Sequence, residues 1–265
     1  MPFADNQGLR IHFEDVGTGP PVVLGHSFLL SGTMWRQQVP ALAARYRVLN
    51  VDFRGHGRSG EVQHAFSLYD AVADVVAVLD HAGIEKAIWC GLSIGGMVAM
   101  RAALICPQRV GALVLMDTDA GAESPARKIT YSAMGLGVRL LGTAAFATPV
   151  SRLMFGVTTR GQNKELVRQF KSGLPALHVP SILHGLGALL RRDSLFERLR
   201  QIRVPVLVLA GEEDRSLPPI LSRRIHDRLP DSRLVLVPGA GHLSALEQPT
   251  TVNREILDFL GMHAG

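Results

Sequence analysis

The sequence predicts an α/β fold, a mostly parallel sheet with helices on both faces. Short apolar runs, each the length of a buried strand, alternate with longer segments whose apolar residues recur at helical spacing. The residues capable of chemistry fall just after those runs, where the strands of such a sheet end and its ligand crevice opens. At 265 residues and 47% hydrophobic content, the chain can bury a sizeable core without disulfides or metal.

The elements follow in order. Residues 8–14 alternate between polar and apolar and read as an edge strand. Residues 21–25 are a short apolar strand pointing at His26-Ser27-Phe28, and residues 33–45 read as a helix. Residues 47–52 form a strand that runs into Asp52-Phe53-Arg54-Gly55-His56-Gly57-Arg58-Ser59. Residues 67–82 carry Leu68, Ala71, Val72, Val75, Val76 and Leu79 at helical spacing. Strands are expected at 87–90, 111–116, 204–210 and 234–237, and helices at 94–106 and 249–259. Residues 120–193 break the alternation. A structureless loop of that length is implausible in a compact domain, so they are expected to form a helical cap (lid) inserted into a core of residues 1–119 and 194–265.

The net charge is +5, from 28 Lys and Arg against 23 Asp and Glu. The basic residues are scattered, nearly all are arginine, and no aromatic residues interleave them, so a nucleic-acid partner is not expected. A mild positive field would still attract anionic substrates. Cys90 and Cys106 form no Cys-x-x-Cys pair and read as small apolar residues. There is no His-Glu-x-x-His motif and no cysteine–histidine cluster, so neither a metal nor an organic cofactor is expected. The first residues show no signal-peptide pattern, and no apolar run approaches the ~18 residues of a membrane span. The expectation is a cytoplasmic protein.

Ser93 lies in Gly91-Leu92-Ser93-Ile94-Gly95-Gly96, between an apolar strand and a helix. This is the Gly-x-Ser-x-Gly pattern of a nucleophile elbow. The turn is so sharp that side chains at 91 and 95 would collide with neighbouring elements, while the serine hydroxyl is held at the sheet edge above a helix N-terminus. A serine hydroxyl is a weak nucleophile without a base. Ten histidines compete for that role. His242, in Pro238-Gly239-Ala240-Gly241-His242, follows the last strand; His26 and His56 are rivals near other strand ends. Asp214, in Gly211-Glu212-Glu213-Asp214, follows the preceding strand and would orient the histidine. Its rivals are Glu213, Asp117 and Asp119. The order Ser93, Asp214, His242 fits a strand–turn–helix serine hydrolase. Two donors for an oxyanion are expected from the Ile94 and Phe28 amides.

These motifs resemble the α/β-hydrolase superfamily from about residue 8 to residue 259. The resemblance rests on the His26 loop, Asp52-x-Arg54-Gly55-x-Gly57-x-Ser59, the elbow, Gly211-x-x-Asp214, and Gly241-His242 with Glu247 and Pro249. The chain is similar to small bacterial carboxylesterases and to 3-oxoadipate enol-lactonases. The latter likeness is carried by the serine after His26, Met34-Trp35 and Gly-Leu-Ser-x-Gly-Gly at the elbow. Two departures stand out. The usual His-Gly is His26-Ser27, and the glycine that enol-lactonases carry two residues after that serine is replaced by Leu29. The Gly-x-Gly-Pro-Gly loop of carbon–carbon hydrolases is absent, and Ser93 stands where dehalogenases and epoxide hydrolases use aspartate.

The resemblance implies a cofactor-free serine hydrolase acting on a small-molecule carboxylic ester or lactone. The same residues also suit thioesters, carbon–carbon bond hydrolysis, perhydrolysis or a slow-turnover ligand receptor. Phe28, Leu29, Met134, Leu217 and Leu243 are expected to touch substrate. The cap also carries Leu136, Val138, Leu140, Leu141, Phe146, Leu153, Met154 and Phe155, which suit an apolar pocket. Its arginines, Arg127, Arg139, Arg152, Arg160 and Arg168, are expected to face solvent, which would leave the pocket suited to neutral esters.

Overall fold

The computed structural model describes residues 2–263. Eight strands form one sheet: β1 (Phe3–Asn6), β2 (Leu9–Val16), β3 (Pro21–Gly25), β4 (Arg47–Val51), β5 (Ala87–Leu92), β6 (Val110–Met116), β7 (Val206–Gly211) and β8 (Ser232–Val237). Their spatial order is β1-β2-β4-β3-β5-β6-β7-β8. β1 and β2, and β2 and β4, pair antiparallel; every later pair is parallel.

The parallel strands are apolar at almost every position because both sheet faces are covered. Val22, Leu24, Ile88, Cys90, Val114 and Leu207 join one buried cluster. Val23, Trp89, Leu113, Leu115, Val206 and Val208 join the other. The helices that cover them are α1 (Gln38–Ala43), α2 (Leu68–His81), α3 (Ile94–Ile105), and, after β7, α9 (Pro219–His226), α10 (Ser244–Glu247) and α11 (Pro249–His263). Ser67 starts α2 with a reciprocal capping box to Asp70.

Between β6 and β7 the chain forms α4 (Pro125–Leu141), α5 (Ala147–Met154), α6 (Val157–Gln162), α7 (Lys164–Gly173) and α8 (Val179–Leu190). Among the described residues, no single helix is long and apolar enough to cross a membrane.

Some elements differ from expectation, the short α10 among them. β1 was not anticipated; it is four residues long and pairs only at the sheet edge. The helix expected over residues 33–45 is a 3-10 turn, Gly32–Trp35, followed by the short α1. Side chains outside this segment hold its start: Gly32 N–H donates to Asp52 Oδ1 at 2.6 Å, and Asn50 Nδ2 donates to Gly32 O at 3.0 Å. Such bonds compete with a continuous helix.

At its first turn α3 meets β3 and β5 backbone against backbone. A Cβ at Gly95 would run into the Gly25 carbonyl, and one at Gly91 into the Gly95 backbone. Alanine in place of glycine ordinarily favours a helix by up to about 1 kcal/mol. Here the collision should win, so Gly95→Ala is expected to lower stability by about 1–3 kcal/mol in urea unfolding. A neutral or stabilising substitution would contradict this packing.

Candidate active site

Ser93 joins β5 to α3 at φ 58° and ψ −113°. For a residue with a side chain, such a backbone costs about 1–3 kcal/mol, so its neighbours must hold it. Ser93 N–H donates to Met116 O at 2.8 Å, and Ser93 O accepts from Thr118 Oγ1 at 2.7 Å and Met97 N–H at 3.1 Å. The loops after β7 and β8 bring two more side chains to this point. His242 Nε2 lies 2.9 Å from Ser93 Oγ, and His242 Nδ1 lies 2.8 Å from Asp214 Oδ2. With Asp214 ionised, Nδ1–H donates to the carboxylate and Nε2 is left to accept the serine proton. Asp214 Oδ1 accepts from Ser216 N–H at 2.7 Å and Leu217 N–H at 2.9 Å. Burial by itself would lower the His242 pKa. The charge and hydrogen bond of Asp214, with smaller contributions from Asp117 and Glu247, outweigh burial and raise it above the ordinary value of 6.5.

The histidine loop is held from two sides. Glu247 Oε1 accepts from Gly241 N–H at 2.9 Å and Leu243 N–H at 3.1 Å. Glu247 Oε2 accepts from Gly156 N–H, between α5 and α6, at 2.8 Å. His242 N–H donates to Met154 O at 3.0 Å. Asp117 ties the two loops together: it accepts from Gly211 N–H at 2.7 Å and from Ser244 Oγ and N–H at 2.5 and 3.2 Å. Burial and then the nearby Asp214 push the Asp117 carboxyl up to about 8. The sequence places Asp117 at a strand end but gives no signal for this bridging position.

The rival residues are committed elsewhere. His26 Nδ1–H donates to Ser27 O at 2.8 Å, its Nε2 accepts from Phe53 N–H at 2.9 Å, and burial, then His56, pulls its pKa to about 3. His56 Nδ1–H donates to Arg54 O at 3.0 Å, and burial lowers its pKa. Glu213 accepts from Thr158 N–H and Oγ1 at 2.8 and 2.5 Å. Asp119 pairs with Arg192 at 3.3 Å.

Ile94 is the first residue of α3, so its N–H has no intrahelical acceptor and sits at the positive helix end. Phe28 occupies a turn closed by Leu30 N–H donating to Ser27 O at 3.1 Å. The left-handed residue of that turn is Leu29, at φ 68°, and not Ser27. This is the third turn position, where glycine is favoured. Serine in place of glycine at position 27 therefore brings no left-handed strain, whereas the glycine missing at position 29 does.

A cavity of about 150 Å³, lined mainly by apolar side chains, opens beside Ser93 and His242. Phe28, Leu29, Met134 and Leu217 stand on its wall. Leu243 does not, and this corrects the expectation that it touches substrate. Its side chain is wholly buried in the cluster that holds Leu92 and Met116, while its neighbour His242 faces the cavity. Between β6 and β7, Val138, Phe146, Leu153 and Met154 reach the cavity. Leu136, Leu140 and Leu141 are 59–72% exposed, because α4 turns Met134 and Val138 inward, one helical turn apart, and these leucines outward. Arg139, Arg152 and Arg168 are exposed. Arg127 departs from expectation: it reaches the cavity, together with Glu123, Tyr131 and Arg192. Among the described residues, no group of three or more His, Cys, Asp or Glu could hold a metal ion.

Residues 20–249 match the family model of the alpha/beta hydrolase fold. The chain belongs to the α/β-hydrolase family. An esterase structure from Thermogutta terrifontis superposes on this hydrolase with a TM-score of 0.94 at 28% identity, covering 100% of this chain and 99% of that one. The enol-lactonase of Burkholderia xenovorans LB400 gives 0.92 at 26% identity, covering 98% and 100%. A pimeloyl-[acyl-carrier protein] methyl ester esterase of Vibrio campbellii is 29% identical, over 94% of this chain and 98% of its own length.

Titration of His242 by NMR is expected to give a midpoint above 6.5. Asp214→Asn removes the main charge opposing burial and should bring the midpoint below that of the wild type. A wild-type midpoint at or below 6.5 would contradict the buried ion pair.

Proposed function

We propose that this α/β hydrolase is a serine hydrolase cleaving carboxylic esters through an acyl-enzyme. The observation that carries the reading is the unbroken chain of short contacts, Ser93 Oγ to His242 Nε2 at 2.9 Å and His242 Nδ1 to Asp214 at 2.8 Å, ending on a left-handed serine.

Ser93 Oγ attacks the ester carbonyl while its proton passes to His242 Nε2. Asp214 stabilises the imidazolium and keeps Nε2 aimed at the serine. The Phe28 and Ile94 N–H groups receive the developing oxyanion. His242 then gives its proton to the departing alkoxide. Water, deprotonated by His242, attacks the acyl-enzyme, and collapse of that intermediate returns the proton to Ser93 and frees the acid. Residues 120–193 act as a cap that closes the cavity and supplies its apolar wall. A neutral acyl group suits this wall, since both arginines on it are matched by carboxylates: Arg127 by Glu123 at 3.1 Å, and Arg192 by Glu123 and Asp119 at 3.0 and 3.3 Å. A lactone is the second reading, favoured by the likeness to the enol-lactonase. The chemistry is the same, with the leaving alkoxide still tethered to the acyl group.

Ser93→Ala should lower kcat on p-nitrophenyl butyrate by about 10⁴-fold or more, with the circular dichroism spectrum unchanged. A cavity of about 150 Å³ is of the size that holds a benzene-sized molecule. Turnover should therefore fall steeply between hexanoate and dodecanoate esters. Activity of the Ser93→Ala protein within tenfold of wild type would rule out Ser93 as the nucleophile.

A further inference from the structure

Apart from Thr143, whose hydroxyl donates to Leu174 O at 2.7 Å, the mainly apolar wall of the cavity is polar at two places. One is the reacting centre. The other is where α4 meets the loop carrying Asp214, and the reaction above gives it no task. There Arg127 donates from Nη1 to Ser216 O at 2.8 Å and from Nη2 to Tyr131 Oη at 2.8 Å. Arg192 closes the group through Glu123 and Asp119. Tyr131 and Arg127 both face the cavity.

Three features define what this place can bind. The first is charge. Two guanidinium groups stand against two carboxylates, so the cluster carries no surplus positive charge to attract an anion. The second is the hydrogen-bond inventory of Tyr131. Its oxygen already accepts from Arg127, while no acceptor among the described residues takes its own proton. Burial raises its pKa, so the phenol keeps that proton at working pH. The third is polarisation: a hydroxyl that accepts from a guanidinium becomes a better donor.

We propose that Tyr131, held by Arg127, is a subsite for a second, uncharged oxygen on the substrate's acyl group, such as a ketone, ether or hydroxyl remote from the scissile carbonyl. The inference rests on the serine-hydrolase reading and narrows its substrate class. A plain alkyl chain offers the tyrosine proton no acceptor, and an acyl group with an oxygen at the right depth pairs it. The cluster lies on the Asp214 side of the cavity, because Arg127 bonds Ser216 O and the Ser216 N–H bonds Asp214 Oδ1 at 2.7 Å. The oxygen therefore sits on that side.

The test is a panel of p-nitrophenyl hexanoates, unsubstituted and with a single oxo group at carbon 3, 4 or 5, alongside the monoester of adipic acid. Wild-type protein should prefer one oxo ester over hexanoate by about fivefold or more in kcat/KM, mostly through KM. In Tyr131→Phe, the ratio for that ester should fall to about one. The ratio is taken within each protein and so does not depend on the active fraction. Calorimetric binding of the same pair to Ser93→Ala and to Ser93→Ala/Tyr131→Phe gives the comparison without turnover. No preference at any oxo position, or a preference that survives Tyr131→Phe, would overturn the subsite. Preference for the carboxylate would show an anion site in its place and overturn it equally. If the wild type hydrolyses none of these esters, the serine-hydrolase reading falls, and the calorimetric ratio still decides the subsite.

Discussion

The close backbone approach of α3 to β3 and β5 is the constraint on which the site depends. Gly25, Gly91 and Gly95 meet with no room for a Cβ at either Gly91 or Gly95. That contact forces the chain to reverse between Leu92 and Ile94, and the reversal puts the left-handed conformation on Ser93. The first amides of α3 then lie beneath the hydroxyl, where they can meet negative charge. A looser junction would let Ser93 relax to an ordinary backbone conformation, which would turn its hydroxyl from His242. The parallel pairing of β3, β5, β6, β7 and β8 does the rest, since their carboxyl ends share one edge of the sheet.

Around that serine the structure spends its buried carboxyl groups on the histidine and its loop. Asp214 bonds the ring, Glu247 bonds the amides on either side of it, and Asp117 joins the histidine loop to the end of β7. Buried acids are costly unless hydrogen-bonded, and each of these accepts at least three hydrogen bonds. The helices between β6 and β7 are part of this arrangement, because Met154 O accepts from His242 N–H and Gly156 N–H donates to Glu247. A change in these helices can therefore reach His242 through the backbone as well as through the cavity.

Most of the parallel sheet was legible, because a strand buried on both faces must be apolar throughout. Ser93, Asp214 and His242 stood out because each follows such a strand, and the structure brings their side chains together. Side-chain direction was harder to read. Leu243 follows His242 yet points into the core, and Leu136 and Leu140 lie on the outer face of α4. The polar cluster at Tyr131 was not visible at all, since Asp119, Glu123, Arg127, Tyr131 and Arg192 are spread over more than seventy residues of sequence. Helical phase and loop closure, neither of which is printed in a motif, bring them to one wall.

In the proposed reaction Ser93 attacks an acyl carbonyl whose oxygen is received by the Phe28 and Ile94 amides. Reaction with a p-nitrophenyl alkylphosphonate, followed by intact mass and a crystal structure of the product, tests it directly. The account predicts one phosphonyl group per chain on Ser93 Oγ, with the phosphoryl oxygen about 2.7–3.1 Å from both amide nitrogens, and no labelling of Ser93→Ala. A phosphonyl group on another residue, equal labelling of Ser93→Ala, or a phosphoryl oxygen pointing away from both amides would contradict it.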